Sequence, residues 1–223
     1  RVLGAIIGIH GDDVGIVFPP EIAPIKVVII PIPTNDEKIN DEIFKTCKKL
    51  KEDISSKTDW EVLMDDREDT PGNKYYFWER KGVPLRIEIG KREVEENFVT
   101  IVRRDEKKRK KVNFEDIIDS ISSEFKEMHK ALRERAYKKF NSMISEARTL
   151  DELREILSTK GGFVKVPFCS VDKDGMECAE VLKDYGISVG GVKFPDPDEA
   201  EDGSKCIVCG KKANYKVWVS RPY

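Results

Sequence analysis

Histidine is nearly absent from this chain, with two in 223 residues, and cysteine is scarce, with five. No apolar run approaches the roughly 18–20 residues that a membrane-spanning helix needs. No signal-peptide pattern is visible. Neither sign of charge is in excess: 40 Lys and Arg face 42 Asp and Glu, for a formal net charge of −2. That balance excludes a protein that coats nucleic acid through overall positive charge, so any such contact must come from a local patch. A Gly-rich phosphate loop is missing, as is a Ser-His-Asp arrangement. His10, followed by Asp12 and Asp13, invites a catalytic reading, but "HGDD" lies between a helix pattern and an extended one, and a turn with hydrogen-bonded ends is the simpler explanation. His129 sits among charged neighbours on a helix and is given no role.

What is present is organised in two parts. The opening "RVLGAIIGIHG" reads as a buried helix ending at Gly11, and "DDVGIVFPP" as a turn, a short strand and a proline stop. The chain starts without methionine inside that apolar stretch, so residues 1–20 are expected to close a domain whose upstream portion has been removed. "IKVVIIPI" is a continuous β-branched run that suits a strand covered on both faces. Next, Ile43, Cys47, Leu50 and Ile54 fall on one face of a helix, which makes Cys47 a small core residue. "WEVLMDD" completes a strand-helix-strand unit. Pro71-Gly72 marks a turn, Asn73 a helix cap and Gly82 its end. "LRIEIG" and "NFVTIV" alternate as strands, and "RRDEKKRKK" reads as a charged turn. A long helix follows to about Arg148, its stripe made of Phe125, Met128, Leu132, Ala136, Phe140, Met143 and Ala147. Thr149 with Glu152 starts another helix. The expected class is an α/β domain with a mixed sheet flanked by helices over 21–125, linking helices over 126–160, and a small α+β zinc-binding domain over 161–223.

Four of the five cysteines, Cys169, Cys178, Cys206 and Cys209, crowd into the last quarter. Cys206 and Cys209 have two residues between them and are followed by Gly210, a spacing that lets one tight turn aim both sulfurs at a single ion. Cys169 and Cys178 are separated by the polar, turn-rich "SVDKDGME", which can loop back. Four thiolates complete a closed tetrahedral zinc site, structural rather than catalytic. The alternatives are a disulfide pair, free thiols, or a redox Cys-x-x-Cys; disulfides require an oxidising compartment, and a redox pair leaves Cys169 and Cys178 unexplained.

"RVLGAIIGIHGDDVGIVFPPEIAPIKVVIIPI", "DDREDTPGNKYYFWERKGVPLRIEIG" and "VTIVRRD", then the four-cysteine module and the terminal "RPY", in that order resemble the prolyl-tRNA synthetases of archaeal and eukaryotic type from motif 3 onward. That family belongs to the class II aminoacyl-tRNA synthetases, which activate proline with ATP as prolyl-adenylate and pass it to tRNA. The resemblance implies a cytoplasmic, non-membrane enzyme that is a homodimer when full-length, with L-proline, ATP with Mg2+ and proline tRNA as partners and structural Zn2+ as a cofactor. It implies that Arg1 holds the ATP γ-phosphate, that the α/β domain reads the anticodon, and that the Tyr223 carboxylate is carried towards the active site. Lys91 stands where the family often has proline, and Val14 where a basic residue is common. Motifs 1 and 2 and the proline pocket are missing from this stretch, so alone it is expected to be inactive.

An anticodon is single-stranded, and its bases are read on their Watson–Crick edges and stacked on flat side chains. Proline anticodons end in two guanines, whose N1–H and N2–H donors suit carboxylates. Lys74, Arg86 and Arg103 are therefore candidates for phosphate or base contacts, Glu79 and Glu88 for guanine reading, and Trp78 for a stacking platform. The plainer reading puts Trp78 in the core, pairs Arg86 with Glu88 and leaves Lys74 solvated. Lysines of the 107–111 run add at most salt-dependent, non-specific affinity. Two other functions compete: a stand-alone tRNA- or RNA-binding regulatory module on the same fold, and a structural protein whose zinc stabilises an interaction surface.

Overall fold

The apolar opening forms helix α1 (Val2–His10), but no residue of it is buried. Val2, Leu3, Ile7 and Ile9 are all exposed, contrary to expectation. A helix that is apolar all round is built for enclosure. Asp12 then makes the turn: its Oδ1 accepts from the N–H groups of Val14 and Gly15, each at 3.0 Å. The expected strand over residues 14–18 does not form. Val17, within that stretch, is instead fully buried against Met128 and Leu132.

A computed structural model describes residues 1–222, and the chain divides into two compact units, Arg1–Ala136 and the part from Tyr137 onward. The first unit is built on strand β1 (Val27–Pro31), buried at every position. Helix α2 (Glu37–Lys57) follows; Asp36 caps it by accepting from Lys38 and Ile39, and Ile43, Cys47, Leu50 and Ile54 are its buried stripe. Strand β2 (Val62–Met64) pairs parallel to β1. Helix α3 (Pro71–Lys81) begins one turn earlier than its expected cap. Thr70, not Asn73, is the N-cap and accepts from Asn73 N–H, because Pro71 fits the first helical position. Gly82 ends the helix at φ 74°, a left-handed conformation that glycine adopts at low cost.

Strand β3 (Leu85–Ile89) returns on the other side of β1 and runs parallel to it. A short helix, α4 (Lys91–Glu95), which the sequence reading did not separate, leads into β4 (Phe98–Arg103). The run read as a charged turn does turn at residues 104–106, but its last three residues open a strand, β5 (Arg109–Asn113), antiparallel to β4. A row of cations hides its strand character, since an edge strand needs few apolar residues. The sheet order is β2-β1-β3-β4-β5.

Helix α5 (Ile117–Ser142) stops short of Arg148, because residues Ile144–Glu146 form strand β6 instead. Its first half packs on the sheet through Ile117 and Ile121, with Phe125 edge-on to Trp60 at 5.1 Å. Phe140 and Met143, expected on the apolar stripe, are exposed.

In the second unit, helix α6 (Leu150–Thr159) is capped by Thr149, which accepts from Glu152 N–H. Strand β7 (Phe163–Phe168), helix α7 (Met176–Asp184), strand β8 (Ser188–Gly191) and strand β9 (Tyr215–Ser220) complete a four-stranded sheet ordered β6-β7-β9-β8. Val164, Val166, Val217 and Val219 share a core with Leu153, Leu157 and Leu182 from the two helices.

Replacing Ile54, fully buried under the first sheet, by alanine removes a side chain whose space the rigid strands cannot refill. Urea unfolding of the Ile54→Ala variant is expected to show a loss of about 2–5 kcal/mol.

Candidate functional site

Alternation along the strands sorts the candidate residues onto two faces. Leu85, Ile87 and Ile89 of β3 belong to the core under α2 and α5, so Arg86 and Glu88 face the α3 side. Cross-strand register continues both rows: Arg86 pairs with Val102 and then Arg109, Glu88 with Thr100 and then Lys111. Arg103 lies opposite Leu85 and therefore on the other face. There its guanidinium grips Asp105 through two bonds of 3.0 and 2.7 Å and also meets Glu106 and Glu124. The structure thus brings Lys74, Trp78, Glu79, Arg86 and Glu88 to one side of the sheet and leaves Arg103 on the opposite side.

On the α3 side, Arg86 is the hub. Its Nη1 donates to Glu79 at 2.6 Å, its Nε to Glu88 at 2.8 Å, and its guanidinium lies 4.3 Å from the Tyr75 ring centre. Arg109 reaches the second Glu88 oxygen at 3.1 Å, and Lys107 approaches Glu79 at 3.5 Å. Glu88 is almost wholly enclosed, whereas the side chains of Glu79 and Arg86 keep 16 % and 13 % of their exposure. Burial, with the Glu88 charge adding to it, pushes the Tyr75 phenol up to about 12.

A second knot lies at the end of β2. Asp65 is buried and receives both Nε and Nη2 of Arg67, at 2.9 and 2.6 Å, and the Trp78 indole N–H at 2.6 Å. Burial raises the Asp65 carboxyl, but the Arg67 fork and the Trp78 donor outweigh it and hold it below its ordinary value. Lys74 is buried as well, its Nζ donating to the Asp65 carbonyl at 3.1 Å. Trp78 packs beside Val28, Ile30 and Val83. The flat side chains that solvent reaches are instead Tyr76 and Phe77, with Arg67 4.1 Å over the Phe77 ring. Sequence reasoning missed Asp65, Arg67, Phe77 and Arg109. The paired acids and bases of "DDRED" were the available signal.

The thiols of the second unit meet. The Sγ atoms of Cys169, Cys178, Cys206 and Cys209 all lie within 4.8 Å of one another. Cys169 follows β7, Cys178 sits in the first turn of α7, and the other two occupy a knuckle closed by Cys206 N–H to Lys211 O at 2.8 Å. Cys169 to Cys178 is 3.7 Å and Cys178 to Cys206 is 4.0 Å. Zinc–sulfur bonds of about 2.3 Å in a tetrahedron put sulfurs about 3.8 Å apart, so the set fits such an ion; a disulfide of about 2.05 Å does not match these separations. The Lys211 N–H draws Cys209 down to about 7, while burial pushes Cys169 and Cys178 up. Sulfurs this close could all ionise only around a cation, and these four residues could hold one. Cys47 stands apart in the first core, where burial pushes its thiol up to about 12.

Arg1 is exposed at the N-cap of α1. Tyr223 lies outside the described residues. Asp12 does not form a catalytic pair with His10. Both its oxygens receive Arg104, each at 2.7 Å, and that guanidinium fork holds the Asp12 carboxyl well below the usual carboxylate range.

The chain thus joins a five-stranded mixed sheet flanked by helices to a smaller unit that carries four clustered thiols. Residues 26–124 match the "Anticodon binding domain" family, and residues 150–223 match "Prolyl-tRNA synthetase, C-terminal". Along its whole length the chain is similar to the C-terminal half of prolyl-tRNA synthetases. It is 38 % identical over 225 residues to the proline–tRNA ligase of Ignicoccus hospitalis and 37 % over 224 residues to that of Pyrococcus abyssi. Each match covers 100 % of this chain and 45 % of the relative, so the chain spans about half the length of the curated relatives it matches. The prolyl-tRNA synthetase of Giardia lamblia, solved in complex with prolyl-adenylate, superposes with a TM-score of 0.91 at 30 % identity, covering 100 % of this chain and 47 % of that one. Among the described residues, no helix is long and apolar enough to cross a membrane.

Metal removal tests the thiol centre. A chelator, or Cys206→Ser, is expected to lower the thermal midpoint of the second unit by at least about 10 °C, read by calorimetry, and metal analysis should return one ion per chain. Acid tests the Asp12–Arg104 pair. Its stabilising contribution is complete above about pH 5 and is lost as pH falls below the ordinary value of 3.8 towards the depressed folded one. Asp12→Asn should therefore flatten the stability–pH curve below that point.

Proposed function

We propose that the chain is the tRNA-reading, metal-bearing C-terminal half of a cytoplasmic proline–tRNA ligase. In that reading the full-length enzyme uses ATP with Mg2+ to activate L-proline as prolyl-adenylate and transfers it to proline tRNA, acting as a homodimer. The observation that carries the proposal is the Glu79–Arg86–Glu88 array beside Tyr75 on the α3 face. A guanine edge offers two donors and one acceptor. Glu79 can accept the donors and Arg86 can donate to the oxygen, each partner exchanging an internal bond for one to the base. Glu88, enclosed and shared with Arg109, holds the Arg86 fork in place rather than meeting the base itself. The exposed rings of Tyr76 and Phe77, on the same helix as Glu79, offer stacking surfaces. Lys74 and Trp78 act through Asp65, fixing the turn that carries Arg67. Arg103 supports the fold from the far face.

Zinc is the ion proposed for Cys169, Cys178, Cys206 and Cys209, since four sulfurs leave no open position and suit a structural site. When bound it neutralises the thiolates and fixes the knuckle against β7 and α7. Arg1 is proposed to hold the γ-phosphate of ATP, and the carboxylate of Tyr223 to approach the active site of the complete enzyme.

Binding of a proline-tRNA anticodon stem-loop to this chain tests the reading. Glu79→Gln, or replacement of one anticodon guanine by adenine, should each weaken binding by about 1–3 kcal/mol, measured by fluorescence titration at fixed salt. Equal affinity for an unrelated anticodon would reject base reading, and failure of the full-length enzyme to charge tRNA with proline would reject the ligase assignment.

A further inference from the structure

We propose that Arg104 and Asp12 are positioning residues that couple the base-reading surface to helix α1. Arg104 follows β4, and its side chain is 1 % exposed. Its Nε donates to the main-chain oxygen of Glu79 at 2.8 Å, while both Nη atoms bind Asp12. One rigid guanidinium therefore joins the backbone of a proposed base-reading residue to the turn that ends α1. A planar fork with three engaged donors transmits displacement better than a flexible ammonium would.

Close packing reinforces the joint. A Cβ on Gly15 would lie 2.8 Å from the Arg80 oxygen, and one on Gly82 would lie 2.6 Å from Ile16 Cγ2. The segment after Asp12 thus lies directly on the last turn of α3, with Phe18 N–H near Gly82 O at 3.4 Å. From the other side Val17 is locked against Met128 and Leu132, and Arg135 reaches the His10 carbonyl at 3.4 Å. Asp12 also accepts from Val14 and Gly15, so movement of its carboxylate moves the whole turn. When a base takes the place of an internal bond at Glu79, the last turn of α3 must readjust. Arg104 carries that change to Asp12, and α1 carries it towards Arg1. The inference rests on the proposed anticodon reading at Glu79 and Arg86.

Hydrogen exchange measured by mass spectrometry on this chain, free and saturated with a proline-tRNA anticodon stem-loop, tests it. In the unaltered chain, bound RNA should slow exchange of the amides at residues 11–18 at least threefold, although those residues are not part of the base-reading surface. Asp12→Asn keeps an oxygen for the Val14 and Gly15 donors but loses the charge. It should abolish that slowing while leaving stem-loop affinity within threefold, and Arg104→Lys should do the same. Asp12→Glu, which keeps the charge, should restore part of it. Binding without slowing in the unaltered chain overturns the coupling, as does slowing that persists in Asp12→Asn. If the stem-loop does not bind at all, the anticodon reading itself falls.

Discussion

The two-residue alternation of β3 is the constraint on which the first unit depends. Its odd residues must be apolar to meet α2 and α5, and its even residues are then delivered together to the other side. One strand thus supplies the core and the charged array at once. A slip of one residue would bury Arg86 and Glu88 against Ile43 and Ile54 and expose three aliphatic side chains. Parallel pairing on β1, a strand buried at every position, makes such a slip costly. The same parity sends Arg103 away from Arg86, although both were equally plausible as contacts when only the order of residues was considered.

Charge in this protein is organised rather than abundant. Arg67, Arg86, Arg103 and Arg104 each hold at least one carboxylate at hydrogen-bonding distance, and each also meets a ring, a carbonyl or a further acid. Buried ion pairs offset their desolvation only when the remaining donors are used, and the enclosed Arg103 and Arg104 each engage all three guanidinium nitrogens. A near-zero net charge is therefore compatible with a surface that presents well-defined donors and acceptors. Internal pairing also keeps the side chains ordered before a partner arrives, which lowers the entropy lost on binding.

Legibility in the sequence followed the physics of each element. The stripe of α2 was readable residue by residue because Ile43, Cys47, Leu50 and Ile54 keep a strict helical spacing. The thiol centre was readable because soft ligands are rare in this chain and clustered. Strand β5 was not, since Arg109, Lys110 and Lys111 carry no apolar signal and only the neighbouring strand imposes extension. The end of α5 was misjudged because Met143 and Ala147 continue its periodicity, while parallel pairing with β7 captures Ile144–Glu146. Trp78 was legible as a core residue, but the burial of Lys74 was not, because it depends on the Asp65 carbonyl nine positions away in another element.

The outer edge of the five-stranded sheet ends in three consecutive exposed cations, Arg109, Lys110 and Lys111. An unpaired strand edge ordinarily invites another backbone to add to it. Here each cation is already held by a carboxylate of the protein itself, Arg109 by Glu88 at 3.1 Å, Lys110 by Glu124 at 2.7 Å and Lys111 by Glu96 at 2.8 Å. The stretch read as a charged turn therefore fastens the outermost strand to β3, to α5 and to the end of α4.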